Sequence, residues 1–205
     1  MSEPDDFLKQ GFEQVRLELT DIVGGAGLHL KPETLGRGLA ARARARLKAL
    51  EVILRRLVLL LAMTLQPAPA KPRAVRALMP VPEGVEDVTN SFSAAAKTRS
   101  IALFGPSGRV PGALPEDAAR KSETGPASAA PLLAHVAALY RVLRAPEAMA
   151  LRMARRIEYM KAGRECRPVC LAQPDRHRMR PELALVSALL PDLVRTALDP
   201  WPDTS

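Results

Sequence analysis

Residues 40–64 read AARARARLKALEVILRRLVLLLAMT, and this stretch decides the fold. Its apolar side chains recur at alternating steps of three and four residues, a spacing that predicts one face of an α-helix. We predict a helix from about residue 34 to 66, because Pro67 and Pro69 lack the N–H that would continue it. The row, called here the leucine seam, runs from Ala40 to Thr64, and its predicted helix interface is Leu47, Leu50, Leu54, Leu57 and Leu61.

The second half of this helix raises the question of a membrane segment. The uncharged run Leu57–Leu65 spans only about 14 Å at the helical rise, whereas a bilayer core is about 30 Å thick. Extending the run toward the N-terminus meets Arg56 and Arg55, each of which costs about 2.5–3.5 kcal/mol inside a bilayer. Two interpretations remain: a buried helix that is apolar all round at its end, or an interfacial helix whose arginines contact anionic lipid over residues 42–65.

Composition limits the class of protein. Thirty Lys and Arg residues against 22 Asp and Glu give a net charge of +8, and aromatic residues make up only 3%. The core must therefore consist of Leu, Val, Ala and Met. The positive charge is concentrated in residues 36–76 and 141–180. Association of these basic parts with the acidic parts of the chain is the favoured explanation, and an anionic partner such as phospholipid or nucleic acid is the alternative. The predicted anion contacts are Arg42, Arg46, Arg55, Arg56, Arg152, Arg155 and Arg156.

Helical spacing also marks the two ends of the chain. Residues 5–19 predict an amphipathic helix that ends within DIVGGAG, because glycine is unfavourable inside helices. At the other end, helices are predicted from residue 131 to 144 and from Pro146 to Gly163, followed by two short helices, PELALVSALL and PDLVRTAL. No segment shows the alternation of a strand. The predicted core adds Leu139, Leu143, Met153 and Ile157 to the leucine seam.

Residues 67–130 are rich in Pro, Ala and Gly and predict a disordered linker. We therefore expect a mostly α protein in three parts: an N-terminal helical segment (1–66) with the leucine seam, the linker, and a C-terminal helical segment (131–205).

Catalytic and metal motifs are weak in this sequence. Cys166 and Cys170 form a C-x3-C pair with His177 nearby, but zinc sites use tighter spacing and a second ligand pair. Surrounding arginines would oppose a cation and make the thiols more reactive. His135 precedes an apolar position and is interpreted as a boundary residue. No cofactor, metal ligand or catalytic residue is assigned, and two cysteines are too few for a disulfide framework, which favours a cytoplasmic location.

The stretch YRVLRAPEAMALRMARRIEYM at 140–160 resembles short alphaproteobacterial proteins of unknown function. These proteins pair an Arg/Leu-rich helix with a Pro/Ala linker, and the resemblance implies no activity and no site residue.

These features favour a non-enzymatic protein that acts through helix–helix contacts with a protein partner or a second copy of itself. The first alternative is a peripheral membrane protein that binds anionic lipid through residues 42–65. The second is a non-specific nucleic-acid binder, which the absence of aromatic stacking platforms makes less favoured.

Overall fold

The computed structural model describes residues 3–67, 125–165, 167 and 179–201. The protein is mostly α, as the sequence predicts. The described residues form five α-helices: α1 (Glu3–Gly25), α2 (Arg37–Thr64), α3 (Ala130–Arg144), α4 (Pro146–Ala162) and α5 (Pro181–Leu198). A single 3-10 turn, Leu28–Leu30, follows α1.

Helix α2 is the centre of the fold and contacts each of the other four α-helices. Its second half is covered nearly all round, with Ile53, Val58 and Leu59 buried beside the leucine seam. This arrangement confirms the interpretation of residues 40–64 as a buried helix, because only a central helix hides apolar side chains on every face. The predicted core positions Leu139, Leu143, Met153 and Ile157 are buried too.

The helices on the two sides of residues 68–124 share one hydrophobic core. A short antiparallel pairing closes it at one end, where β1 (Thr34–Leu35) pairs with β2 (Ala127–Ser128). Arg37 Nε also donates a hydrogen bond to the Gly125 carbonyl at 2.7 Å. The sequence predicted no strand and started the second helix at residue 34. It missed this pairing because two residues are too few to show alternation.

Three helices meet closely at Gly11 of α1. A Cβ atom added there would lie 2.7 Å from Leu57 Cδ2 of α2 and 3.5 Å from Val186 Cγ1 of α5. Because glycine has no side chain, α1 approaches its neighbours closely at this position. At the far end of α1, Arg180 Nη1 lies 3.4 Å from Asp21 Oδ2 and links α1 to the start of α5.

The C-terminal end corrects the prediction of two short helices. Residues 181–198 form one helix, α5, with Pro191 inside it. Proline removes its own N–H bond to the carbonyl four residues earlier, and its ring crowds that carbonyl. Leu183, Leu190 and Val194 lie buried on one side across the proline, and their packing offsets that lost bond. Tertiary packing therefore continues a helix that local propensity would have ended.

The predicted linker at 67–130 lies mostly outside the described residues. Its last six residues are described, and they hold β2 and the beginning of α3 rather than linker. The boundary was placed too late because residues 127–130, ASAA, look compositionally like the stretch before them.

Candidate interaction surface

The leucine seam faces the interior of its own chain. Leu47, Leu50, Leu54 and Leu57 are buried, and Leu61 is partly buried against the same core. The seam is therefore a helix interface, and the helices packed around it are α1, α3, α4 and α5. In the folded chain it is not open to another molecule.

Three of the arginines predicted as anion contacts lie against carboxylates, and two of these three are on α2. Arg46 on α2 donates from Nε (3.1 Å) and Nη2 to Oε1 of Glu18 on α1. The Glu18 side chain is only 2% exposed, whereas that of Arg46 is 33% exposed. The other carboxylate oxygen, Oε2, has no hydrogen-bond partner. Since a buried carboxylate needs a compensating charge, this pair fixes α1 on α2.

A second charged group joins α2 to α3. Arg55 Nη2 donates to Glu51 Oε1 one turn earlier, and His135 Nε2 lies 2.8 Å from Glu51 Oε2. The distance between these two atoms is that of an ion pair, but their geometry is not that of a hydrogen bond. The His135 side chain is 3% exposed, so the boundary position expected from the sequence is wrong. The histidine therefore lies enclosed between α3 and α2, against Glu51.

The remaining predicted anion contacts divide by exposure. Arg56 is buried, whereas Arg42 and the three arginines of α4 are exposed. Arg152, Arg155, Arg156 and Tyr159 lie on one outward face of α4, called here the arginine face, at helical spacing. Arg156 bonds to Glu165 at 3.0 Å and lies over the Tyr159 ring, 5.0 Å from its centre. Arg155 has no ion-pair partner in the described part of the chain, so its charge remains available there.

An apolar row that sequence reasoning missed lies on the outside of α5. Leu185, Leu189 and Leu193 are 69%, 55% and 41% exposed. Steps of four residues place them on one helical face, called here the α5 stripe. The other exposed large apolar side chains of the described residues are Leu17, Leu30, Tyr140 and Tyr159, and no two of them share a helix.

A signal for the stripe exists in the sequence. The segment ELALVSALLPDLV has leucine or valine on both sides of a helical wheel. Leu183, Val186 and Leu190 are buried in the core, and the stripe leucines form a second apolar side of the helix. A helix that is apolar all round is normally covered all round. Dividing the segment at Pro191 hid this pattern, because neither half is long enough to show two faces.

Several other candidates lie outside these surfaces. No group of three or more metal-ligating side chains occurs among the described residues. Within the same residues, no helix has both the length and the apolar character needed to cross a membrane. Cys166, Cys170 and His177 lie outside the described residues.

Comparison of the chain with protein-family models, with curated proteins and with solved structures finds no match.

Proposed function

We propose that this protein is a non-enzymatic interaction protein that docks a helical partner on the α5 stripe. The observation that carries the proposal is the exposure of three leucines in one row on a helix whose opposite side is fully packed. Covering the exposed parts of these side chains would stabilise a complex by about 2 to 5 kcal/mol. An amphipathic helix fits such a row, because its apolar residues recur at the same spacing.

The partner-binding surface is therefore the α5 stripe and not the leucine seam. Opening the seam to a partner would expose Leu47, Leu50, Leu54 and Leu57, which are buried in the core. Each fully buried leucine is worth about 1.5–3 kcal/mol, comparable in sum to the entire stability of a domain. Docking on α5 leaves that core intact.

Site-specific photo-crosslinking in the cells that make the protein tests this proposal. A photoreactive amino acid replaces Leu189 in the full-length chain, and the matched control replaces Leu30. Leu30 is 76% exposed, so exposure alone would give cross-links there as well. We expect discrete cross-linked products at position 189 and none at position 30. Equal yields at the two positions, or no product at 189, would overturn the proposal.

The arginine face supports a second candidate function, contact with nucleic-acid phosphates. Three exposed guanidinium groups lie within two helical turns, and such groups can neutralise phosphates. Tyr159 adds an exposed aromatic ring beside them. A gel-retardation assay on duplex DNA at several salt concentrations tests this candidate. Changing Arg152, Arg155 and Arg156 to Gln should reduce the slope of the logarithm of the binding constant against the logarithm of the salt concentration by about 2 to 3. The single control Arg42→Gln should reduce it by about 1 at most. An unchanged slope in the triple variant rules this candidate out.

The membrane alternative meets a structural obstacle. An interfacial helix at 42–65 must place its leucine-rich face in the acyl region. That face is packed against the other helices, and Arg46 and Arg55 are engaged with Glu18 and Glu51. Lipid binding through this helix would therefore require the fold to open.

A further inference from the structure

The arginine face of α4 surrounds an exposed tyrosine ring. Arg152 and Tyr159 lie nearly in line along the helix, since they are about two turns apart. Arg155 and Arg156 lie on opposite sides of that line, and all four side chains fall within about 100° of one another round the helix. The three arginines are exposed, and Tyr159 is 64% exposed. A flat apolar ring therefore lies in water among three guanidinium groups.

One side of this ring is already stacked. The Arg156 guanidinium lies over it, 5.0 Å from the ring centre, which is a cation–π distance. This group covers one side of the ring, and the exposure of Tyr159 shows that much of the remainder is open. Nucleobases stack on exposed rings of this kind, and a neighbouring arginine adds cation–π attraction.

The positive charge of the face is only partly compensated. Arg155 has no ion-pair partner among the residues that the structure describes. Glu158, its neighbour one turn on, lies 3.7 Å from Lys161 instead. Arg152 Nε donates to the Ala148 carbonyl at 3.4 Å, and a backbone carbonyl does not neutralise a guanidinium. The face therefore favours an anionic ligand.

Glu165 supplies a carboxylate that contacts this face. Its Oε2 accepts a hydrogen bond from Arg156 Nη2 at 3.0 Å, and the two side chains are 38% and 45% exposed. An exposed pair of this kind is weak and exchanges readily for another anion. The backbone of Glu165 is held separately, because its carbonyl accepts a bond from Trp201 Nε1 at 3.1 Å. The carboxylate can therefore leave Arg156 while the backbone stays in place.

We infer that the arginine face binds a single-stranded nucleic acid, with one base stacked on Tyr159 and the neighbouring phosphates paired with the three arginines. Duplex bases are paired and stacked on each other, so a ring on a helix surface reaches a base face only in a single strand. Carboxylates of an acidic protein would meet the guanidinium groups but leave the ring unpaired. A bound phosphate displaces the Glu165 carboxylate from Arg156. This inference deepens the second candidate function, phosphate contact by the arginine face, and rests on it.

Fluorescence anisotropy with the full-length chain at several salt concentrations tests the stacking. The labelled probes are an oligothymidylate, an oligouridylate and a duplex DNA of the same length. Tyr159→Leu should raise the dissociation constant for the single strands by about fivefold or more. It should leave the salt dependence of binding unchanged, because it removes a ring and no charge, and it should leave duplex affinity unchanged.

Tyr140→Leu is the matched control, because Tyr140 is 40% exposed and lies on α3. It should not change the affinity for any probe. Both tyrosines are exposed, so the two variants should fold, and circular dichroism melts verify that they do.

The charges are tested on the same probes. Changing Arg152, Arg155 and Arg156 to Gln should reduce the slope of the logarithm of the binding constant against the logarithm of the salt concentration by about 2 on single strands. Glu165→Gln should tighten binding by about two- to fivefold, because it removes the anion that competes for Arg156. In an Arg156→Gln background the same change should have a smaller effect. If Glu165→Gln leaves the affinity unchanged or weakens it, the competition between Glu165 and phosphate is overturned.

The outcomes separate this inference from the candidate function on which it rests. Tighter binding of oligouridylate than of oligothymidylate assigns the site to RNA, and the reverse order assigns it to single-stranded DNA. If Tyr159→Leu leaves single-strand affinity unchanged, or weakens single strands and duplex equally, the stacking is overturned. A reduced slope in the triple arginine variant then keeps phosphate contact as a function. If no probe binds at low salt, both fail.

Discussion

The contact at Gly11 allows the packing of α1, α2 and α5 to be tested. Gly11→Ala should lower the stability of the protein when Leu57 is present and raise it when the Leu57 side chain is removed. Gly11→Ala places a methyl group where Leu57 Cδ2 would be 2.7 Å away, which is shorter than real Cβ contacts. Leu57 is fully buried, so its side chain has little room to turn aside. Overpacking of this kind costs about 1–3 kcal/mol. Against it, alanine favours a helix interior over glycine by about 0.8–1 kcal/mol.

The balance predicts that Gly11→Ala lowers the free energy of unfolding by about 1 kcal/mol. The same change in a Leu57→Ala background should raise it by about 1 kcal/mol, because the clash is gone and only the helix propensity remains. Leu57→Ala alone costs about 2–5 kcal/mol. The coupling of about 2 kcal/mol between the two positions is within the range seen for residues in contact.

Urea denaturation followed by circular dichroism measures all four proteins of this cycle. Gly24→Ala is the matched control, because Gly24 lies in the same helix with nothing within 4 Å of an added Cβ. It should stabilise the protein slightly and equally in both backgrounds. The reasoning is refuted if Gly11→Ala stabilises the protein with Leu57 present as much as with Leu57 removed.

Two further changes test α5 and the buried charge pair. Pro191→Ala should raise the free energy of unfolding by about 1–3 kcal/mol, because it returns an N–H to the helix interior; a thermal melt showing no gain contradicts this. Arg46→Met should cost about 3 kcal/mol or more, since it leaves Glu18 buried and unpaired, whereas Glu18→Gln should cost less because Arg46 can turn to water. If urea denaturation shows the same decrease in the free energy of unfolding for both variants, the expected difference between the buried carboxylate and the partly exposed arginine is contradicted.

The central helix was predictable from the sequence because its pattern is long and regular. The leucine seam repeats over several heptads, and a face of that length outweighs local irregularities. The same regularity identified Met153 and Ile157 on α4 as core positions. The sequence left open which helices would cover the seam. Four helices of the same chain do so, and that choice depends on contacts between distant segments.

The misplaced features are those for which a local rule competes with packing. Pro191 is a helix breaker by propensity, yet the apolar side chains on both sides of it share one buried face. His135 looked like a boundary residue because its partner, Glu51, is on another helix. The α5 stripe was missed for the first of these reasons, since dividing α5 at its proline removed the two-sided pattern.

The pairing of β1 with β2 has a consequence for how the chain folds. Arg37 and Gly125, which it brings together, are 88 residues apart in sequence. Closing a loop of that length costs about 4 kcal/mol in chain entropy beyond a constant term. The contacts of α2 with α3, α4 and α5 require the same loop closure. These contacts therefore stabilise the chain only after the loop has closed. Although its secondary structure is helical, this protein should therefore reach its native state more slowly than helical bundles with short loops.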